Sequence, residues 1–170
     1  MTRVRNGLEW LLEWVVIALM VGLTVVVVVA VVSRLLGESF SWYDEVAAIG
    51  LAWVTYYCSA LAALKRRHIG FDSVLLALPP RFRIAAALFG EAVTLGFFGL
   101  LTWAGIRVFQ VLEGDTLVSL TWVPVQLTQS VIPVGAALFI VAQLLSAPVY
   151  LRAVRAGISL ENHEDEETME

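Results

Sequence analysis

Four long stretches in which charge is absent or nearly so constrain this chain more than any other feature. Trp14–Ser33 runs 20 residues without Asp, Glu, Lys or Arg, and Val46–Leu64 runs 19. Ile84–Ile106 is interrupted only by Glu91, and Thr116–Leu151 continues for 36 residues without a charge. A helix of about 20 apolar residues crosses the hydrocarbon core of a bilayer. In that core every backbone N–H and C=O must be satisfied within the protein, which leaves helices and closed barrels. Uninterrupted apolar runs, rather than alternating ones, predict an all-α integral membrane protein with four transmembrane helices, near residues 10–33, 44–64, 82–107 and 127–151. The fourth run is longer than one span requires. Pro124 and Pro133 predict an interfacial approach before the helix, and Pro133 is expected to remove a backbone hydrogen bond and kink it.

The flanks of these runs set an orientation. Four spans put both termini on one side, together with Arg3, Arg5, Lys65, Arg66, Arg67, Arg81, Arg83, Arg152 and Arg155. Arg34 and Arg107 fall on the other side. Lysine and arginine accumulate on the cytoplasmic side of membrane proteins, so both termini are expected in the cytoplasm, with the acidic connections facing outward. The opening MTRVR resembles the start of a secretory signal. The apolar run behind it exceeds the usual core of about 7–15 residues, and no small-residue cleavage site follows, so the first helix is expected to be retained. Trp10 and Trp14, one helical turn apart, are expected interfacial anchors, as are Lys65, Arg66 and Arg67. Arg5, Glu9 and Glu13 recur at a spacing that allows pairing along one helix. Phe71, Val74, Leu75 and Leu78 predict a short amphipathic helix on the cytoplasmic surface, capped by Asp72 and ended by Pro79–Pro80. Residues 152–170 read as a basic-then-acidic tail, expected to be disordered, since six of the 15 acids lie in the last ten residues.

Little in the chain points to chemistry. Cys58 is the one cysteine, so neither a disulfide within the chain nor a CxxC pair can form. His68 and Asp72 share a helical face, but two such groups do not make a metal site. There is no GxSxG elbow, P-loop or dinucleotide fingerprint. No catalytic residue, metal site, cofactor or nucleic-acid partner is expected, and the chain is not expected to be an enzyme. Glu91 is the single ionisable group well inside a predicted span. A carboxylate there is costly and needs a partner or a function. It lies roughly 10 Å into the third helix at about 1.5 Å per residue, which lets it reach the inner interface or pair with Arg83, Arg81 or a cation of another subunit. Ala18/Gly22, Ala86/Gly90 and Ala92/Gly96 have the spacing that allows close helix contact. At the mouth of the second span stands SFSWYDE, residues 39–45. Ser41-x-x-Asp44 has capping-box spacing, Asp44 and Glu45 complement a helix N-terminus, and Trp42 and Tyr43 sit where aromatic anchors belong.

The order of these features is more specific than any one of them. A basic start and one span lead into SWYDEVAAIGLAWVTYYCSALAALKRRHIGFD, then a long third helix, then VSLTWVPVQLTQSVIPVGAALFI. From about residue 8 to 151 this resembles the small membrane subunit, DctQ-like, of tripartite ATP-independent periplasmic (TRAP) transporters. The resemblance implies a bacterial inner-membrane accessory subunit that braces a much larger permease subunit. That permease takes up an organic acid on a sodium gradient, with a secreted substrate-binding protein delivering the substrate. It implies that Trp42, Asp44, Glu45 and Glu91 are candidate contacts to the large subunit or to the binding protein. A self-contained small four-helix multidrug-type exporter, or another membrane scaffold protein, is the alternative. Such exporters place a buried glutamate in the first span, whereas here Glu9 and Glu13 precede the first apolar run and Glu91 is in the third. A quinone-linked redox protein would need paired cysteines or intramembrane histidines, which this chain lacks.

Overall fold

A computed structural model describes residues 2–38, 40–66 and 79–156. The helices are α1 (Thr2–Leu35), α2 (Tyr43–Lys65), α3 (Pro80–Val111), the one-turn α4 (Val125–Gln129) and α5 (Val131–Ala156). Four stretches are long and apolar enough to cross a membrane: Arg3–Leu35, Tyr43–Lys65, Phe82–Val111 and Val125–Ala156. The chain is therefore a multi-pass, all-α membrane protein. The expected surface helix over Phe71–Leu78, His68 and Arg67 lie outside the described residues, as does the tail beyond residue 156.

The helices form an open row. Helix α1 packs on α2, α2 on α5, and α5 on α3. The last helix in sequence thus sits between the second and third, and α1 and α3 form the edges. Burial follows this order: 39% of the most apolar window of the α4–α5 stretch is buried, against 6% in α1 and in α3. The uncovered edges present large apolar side chains, among them Ile17, Val21 and Val28 on α1 and Phe89, Val93 and Leu100 on α3. These are side chains that only lipid or another protein can cover.

Van der Waals packing between helices needs close backbone approach, and glycine supplies it at different positions from those the sequence spacing predicts. No atom outside its own helical neighbourhood comes within 4 Å of where a side chain would begin at Gly22, Gly90 or Gly96. The close approaches are instead at Gly135, where a Cβ would stand 2.7 Å from Tyr56 Cβ of α2, and at Gly105, 2.9 Å from Pro133 of α5. Phe98 of α3 and Phe139 of α5 stack with centroids 3.6 Å apart. Leu12, Ala60, Ala63, Leu64, Phe139 and Ala142 form the buried cluster that joins α1, α2 and α5.

Pro133 does not sit in a helix interior. The chain breaks at Ser130 between α4 and α5, so Pro133 falls in the first turn of α5, where a missing N–H leaves no helical bond unmade. Pro148 is the proline inside α5. The break is held from the neighbouring helix, where the Trp53 indole N–H donates to Thr128 O at 3.0 Å.

Candidate functional site

The row has a basic end, where α1 and α3 begin and α2 and α5 finish, and an acidic end with the connections 36–42 and 112–124. Each end carries carboxylates that tie elements together.

At the basic end α2 stops at Arg66, whose backbone is left-handed (φ 54°) and whose N–H donates to the carbonyls of Ala62 and Ala63. A non-glycine residue in that conformation costs about 1–2 kcal/mol, so the surroundings must hold it there. The guanidinium does so through three contacts. It pairs with the Glu91 carboxylate of α3, Nε donates to Ser146 Oγ at 2.7 Å, and Nη2 donates to Gln143 O at 3.1 Å. It also lies over the Tyr150 ring, 4.6 Å from the centroid. Gln143 Nε2 donates to the second Glu91 oxygen at 2.9 Å. Ser146 is itself tied to Ala63 O of α2 at 3.1 Å. The side chains of Arg66 and Glu91 retain only 13% and 11% exposure. One fully paired cluster therefore joins α2, α3 and α5 at the point where each would otherwise bury a lone polar group.

Three expectations change here. Glu91 pairs with Arg66 at the end of α2, a partner that the sequence reading does not name, while the Arg81 side chain lies outside the described residues. The left-handed turn directs Arg66 back into the row, whereas Arg83 lies two helical turns away along α3. The Arg66 guanidinium accordingly finds its partners within the row. Lys65 is drawn inward in the same way and reaches Glu9 at 3.4 Å and Glu13 at 2.5 Å on α1. Those two acids thus pair across helices rather than with Arg5 along their own. Trp10 and Trp14 lie on the uncovered face of α1, 61% and 57% exposed, with rings in edge contact.

Gln143, Ser146 and Tyr150 were not singled out from the sequence. They are the polar members of α5 ahead of Arg152 and are spaced three and four residues apart, which puts them on one face. That periodicity within the fourth run is the signal that identifies them.

At the acidic end the first turn of α2 is held differently from a capping box. Trp42 occupies the N-cap position, and no side chain caps the helix. Asp44 is exposed. Glu45 turns to the connection between α3 and α4, where its two oxygens accept the backbone N–H groups of Val118 at 3.1 Å and Ser119 at 2.9 Å. Ser119 Oγ donates to Ser41 O at 3.2 Å, which joins the two acidic connections. Trp42 is half-buried and packs against Phe40, with centroids 5.6 Å apart. The loop closes on itself through an antiparallel bridge between Thr116 and Pro124, and the Glu45 carboxylate, by accepting two adjacent amides, fixes it from the side instead of capping its own helix.

Compared with known protein families, residues 23–152 match the family described as tripartite ATP-independent periplasmic transporters, DctQ component. Curated proteins supply no match.

Proposed function

Since this chain belongs to the DctQ family of TRAP transporter components, we propose that it is the small accessory subunit of a sodium-coupled, binding-protein-dependent importer of organic acids, and that its task is to brace the large permease subunit. The observation that carries this reading is the paired Arg66–Glu91–Gln143 cluster within an open helix row. The Glu91 carboxylate, the most buried among the described residues that pair, is neutralised by this chain's own arginine, while the outer faces of α1 and α3 remain uncovered. Such a layer has surfaces for a membrane partner, and among the described residues its most deeply placed carboxylate is engaged by the chain itself rather than free to carry a cargo. On this reading the protein lies in the bacterial inner membrane with both termini cytoplasmic, and its acidic end faces the periplasm. The large membrane subunit is a stable partner and the substrate-binding protein a transient one.

Reconstitution tests this directly. The chain is expected to co-purify with a larger multi-span protein. Sodium-driven uptake of an organic acid should require both membrane proteins together with the binding protein. Uptake by this chain alone in liposomes would sink the accessory reading.

A further inference from the structure

We propose that the start of α1 holds the headgroup of an anionic phospholipid, and that Arg5 is the residue that binds its phosphate. The site depends only on the spans and on the charges at the basic end, so it stands apart from the transport reading above.

Arg5 is left without the partner that its spacing offers. Glu9 stands one turn along the same helix, yet Lys65 of α2 reaches Glu9 at 3.4 Å and Glu13 at 2.5 Å. Glu91 is held by Arg66. These are the three carboxylates among the described residues at the basic end, and Arg5 pairs with none of them. Its Nε is buried and finds no hydrogen-bond partner among the described residues. The position of Arg5 explains the burial. Leu8 and Leu12 follow it at three and seven residues on the same side of α1, Leu12 buried and Leu8 packed against the core cluster. A half-buried cation without a partner is costly, and arginine cannot shed its proton to escape that cost. An anion from outside the chain completes it.

The surroundings select the anion. The first turn of α1 contains no acid, and its leading N–H groups have no acceptor within the helix. The helix start therefore favours negative charge as well. Arg3, Arg152 and Arg155 are exposed at the same end and Arg83 is half-buried there. These cations attract an anionic headgroup and disfavour one that carries its own ammonium. Depth then separates a lipid from a solute. Trp10 and Trp14 are exposed on α1, and indole rings take the level of the headgroup boundary. Arg5 lies five residues before Trp10, roughly 7–8 Å farther out along a helix that rises about 1.5 Å per residue. That is the height of the phosphates. Helix α1 is an edge of the row, so lipid reaches its start without passing another helix. A guanidinium takes a phosphate through two parallel N–H bonds, and a phospholipid adds acyl chains for which the α1 edge is already apolar. Asp72 and the acids of residues 161–170 lie outside the described residues, and they enter the test as rival partners.

Native mass spectrometry of the full-length chain, released from the membrane in its natural assembly, measures the binding. Phosphatidylglycerol and phosphatidylcholine with the same acyl chains are titrated separately. The wild type should bind its first phosphatidylglycerol about tenfold more tightly than phosphatidylcholine, and Arg5→Gln should remove about that factor. Inorganic phosphate in large excess should not displace the lipid. Arg5→Lys should keep part of the preference, because an ammonium retains the charge and loses the paired N–H geometry. Arg152→Gln removes the same unit charge at the same end and should leave the tightest site unchanged. Asp72→Asn, and a full-length chain with the acids of residues 161–170 replaced by their amides, should bind as the wild type does. The proposal falls if the wild type shows no preference, or if inorganic phosphate displaces the lipid. It falls if Arg5→Gln and Arg152→Gln weaken binding equally, which assigns the preference to diffuse charge. It also falls if neutralising Asp72 or the acids of residues 161–170 strengthens binding as much as Arg5→Gln weakens it, since Arg5 then belongs to a carboxylate of the chain. Should Arg5→Gln fail to accumulate, Arg5→Lys carries the test, and wild-type affinity in that variant overturns the proposal.

Discussion

Glu91 and Glu45 serve as the same kind of device in two different settings. Each is a carboxylate on one helix that accepts donors from elsewhere in the chain. Glu91 is held in the basic-end cluster among α2, α3 and α5, with 11% of its side chain exposed. Glu45 stands at the acidic end, partly exposed, and takes two backbone amides of a loop. Surroundings of low polarity strengthen a paired charge and make an unpaired one expensive. Water weakens both effects. The Glu91 cluster therefore fixes how helices sit against one another, whereas the Glu45 contact fixes only where a loop points. The same residue type supports the fold at one end and orients a surface at the other.

Breaking the buried member should give the largest effect. Glu91→Ala or Arg66→Ala leaves the other charge buried and unpaired, which costs about 3–5 kcal/mol. A clear drop in the thermal unfolding midpoint of the detergent-solubilised complex is the expected readout. Replacing both partners by apolar residues, Arg66→Met with Glu91→Leu, should recover most of the loss, because an apolar pair of similar volume is often neutral or better. Two single variants that melt with the wild type would show that the cluster does not brace the row. Glu91→Gln separates bracing from proton or ion coupling. On the bracing account, transport per assembled complex persists once the protein is folded.

Gln143→Leu should come next. It removes the donor to the second Glu91 oxygen and leaves the Arg66 pair in place, a change of about 1–3 kcal/mol for a buried acceptor that loses its partner. In the background of Arg66→Met and Glu91→Leu the same substitution should change little, since no carboxylate remains to be satisfied. A double-mutant cycle on thermal stability measures that difference, and full additivity would place Gln143 outside the cluster.

The contrast between the two ends also separates what the sequence discloses from what it does not. The four spans are legible because length and lack of charge suffice to define a membrane helix. Glu91 is legible as a residue that needs a partner, because burial of charge is costly wherever it occurs. The identity of that partner is not, since it depends on Arg66 leaving the helix in a left-handed turn and reaching α3 across the row. Helix order is equally hidden. Apolar periodicity says that each helix can pack, but not that α5 lies between α2 and α3. The glycine spacings of Gly22, Gly90 and Gly96 misdirect for the same reason, while Gly105 and Gly135, placed opposite Pro133 and Tyr56, make the contacts. SFSWYDE shows the local limit. Its spacing matches a capping box, and the loop some 73 residues later takes Glu45 instead.

At the acidic end the effect of substitution should be confined to the loop. Glu45→Ala removes the acceptor for two amides in a setting open to water. The unfolding midpoint of the complex should therefore stay near that of the wild type. Amide hydrogen exchange should report the change, with protection at Val118 and Ser119 falling by about tenfold as the loop opens locally. A global loss of stability on the scale of Glu91→Ala would erase the distinction between the two ends.

Asp44→Asn makes the finest cut, because Asp44 and Glu45 are neighbours of the same charge at the same helix start. Both lie in the first turn of α2, where a negative charge near the helix dipole is worth about 0.3–1 kcal/mol at most exposed sites. If that shared electrostatic effect explained the pair, Asp44→Asn and Glu45→Gln would alter α2 alike. The geometry separates them. Asp44 is exposed, and no side chain caps this helix, while the Glu45 oxygens point to Val118 and Ser119. Asp44→Asn should therefore leave exchange at Val118 and Ser119 unchanged. Glu45→Gln should reduce protection at one of the two amides, because its side-chain nitrogen cannot accept an N–H. Equal exchange in the two variants would return Glu45 to the role of a helix-end charge, and the protection of Val118 and Ser119 would then need another source.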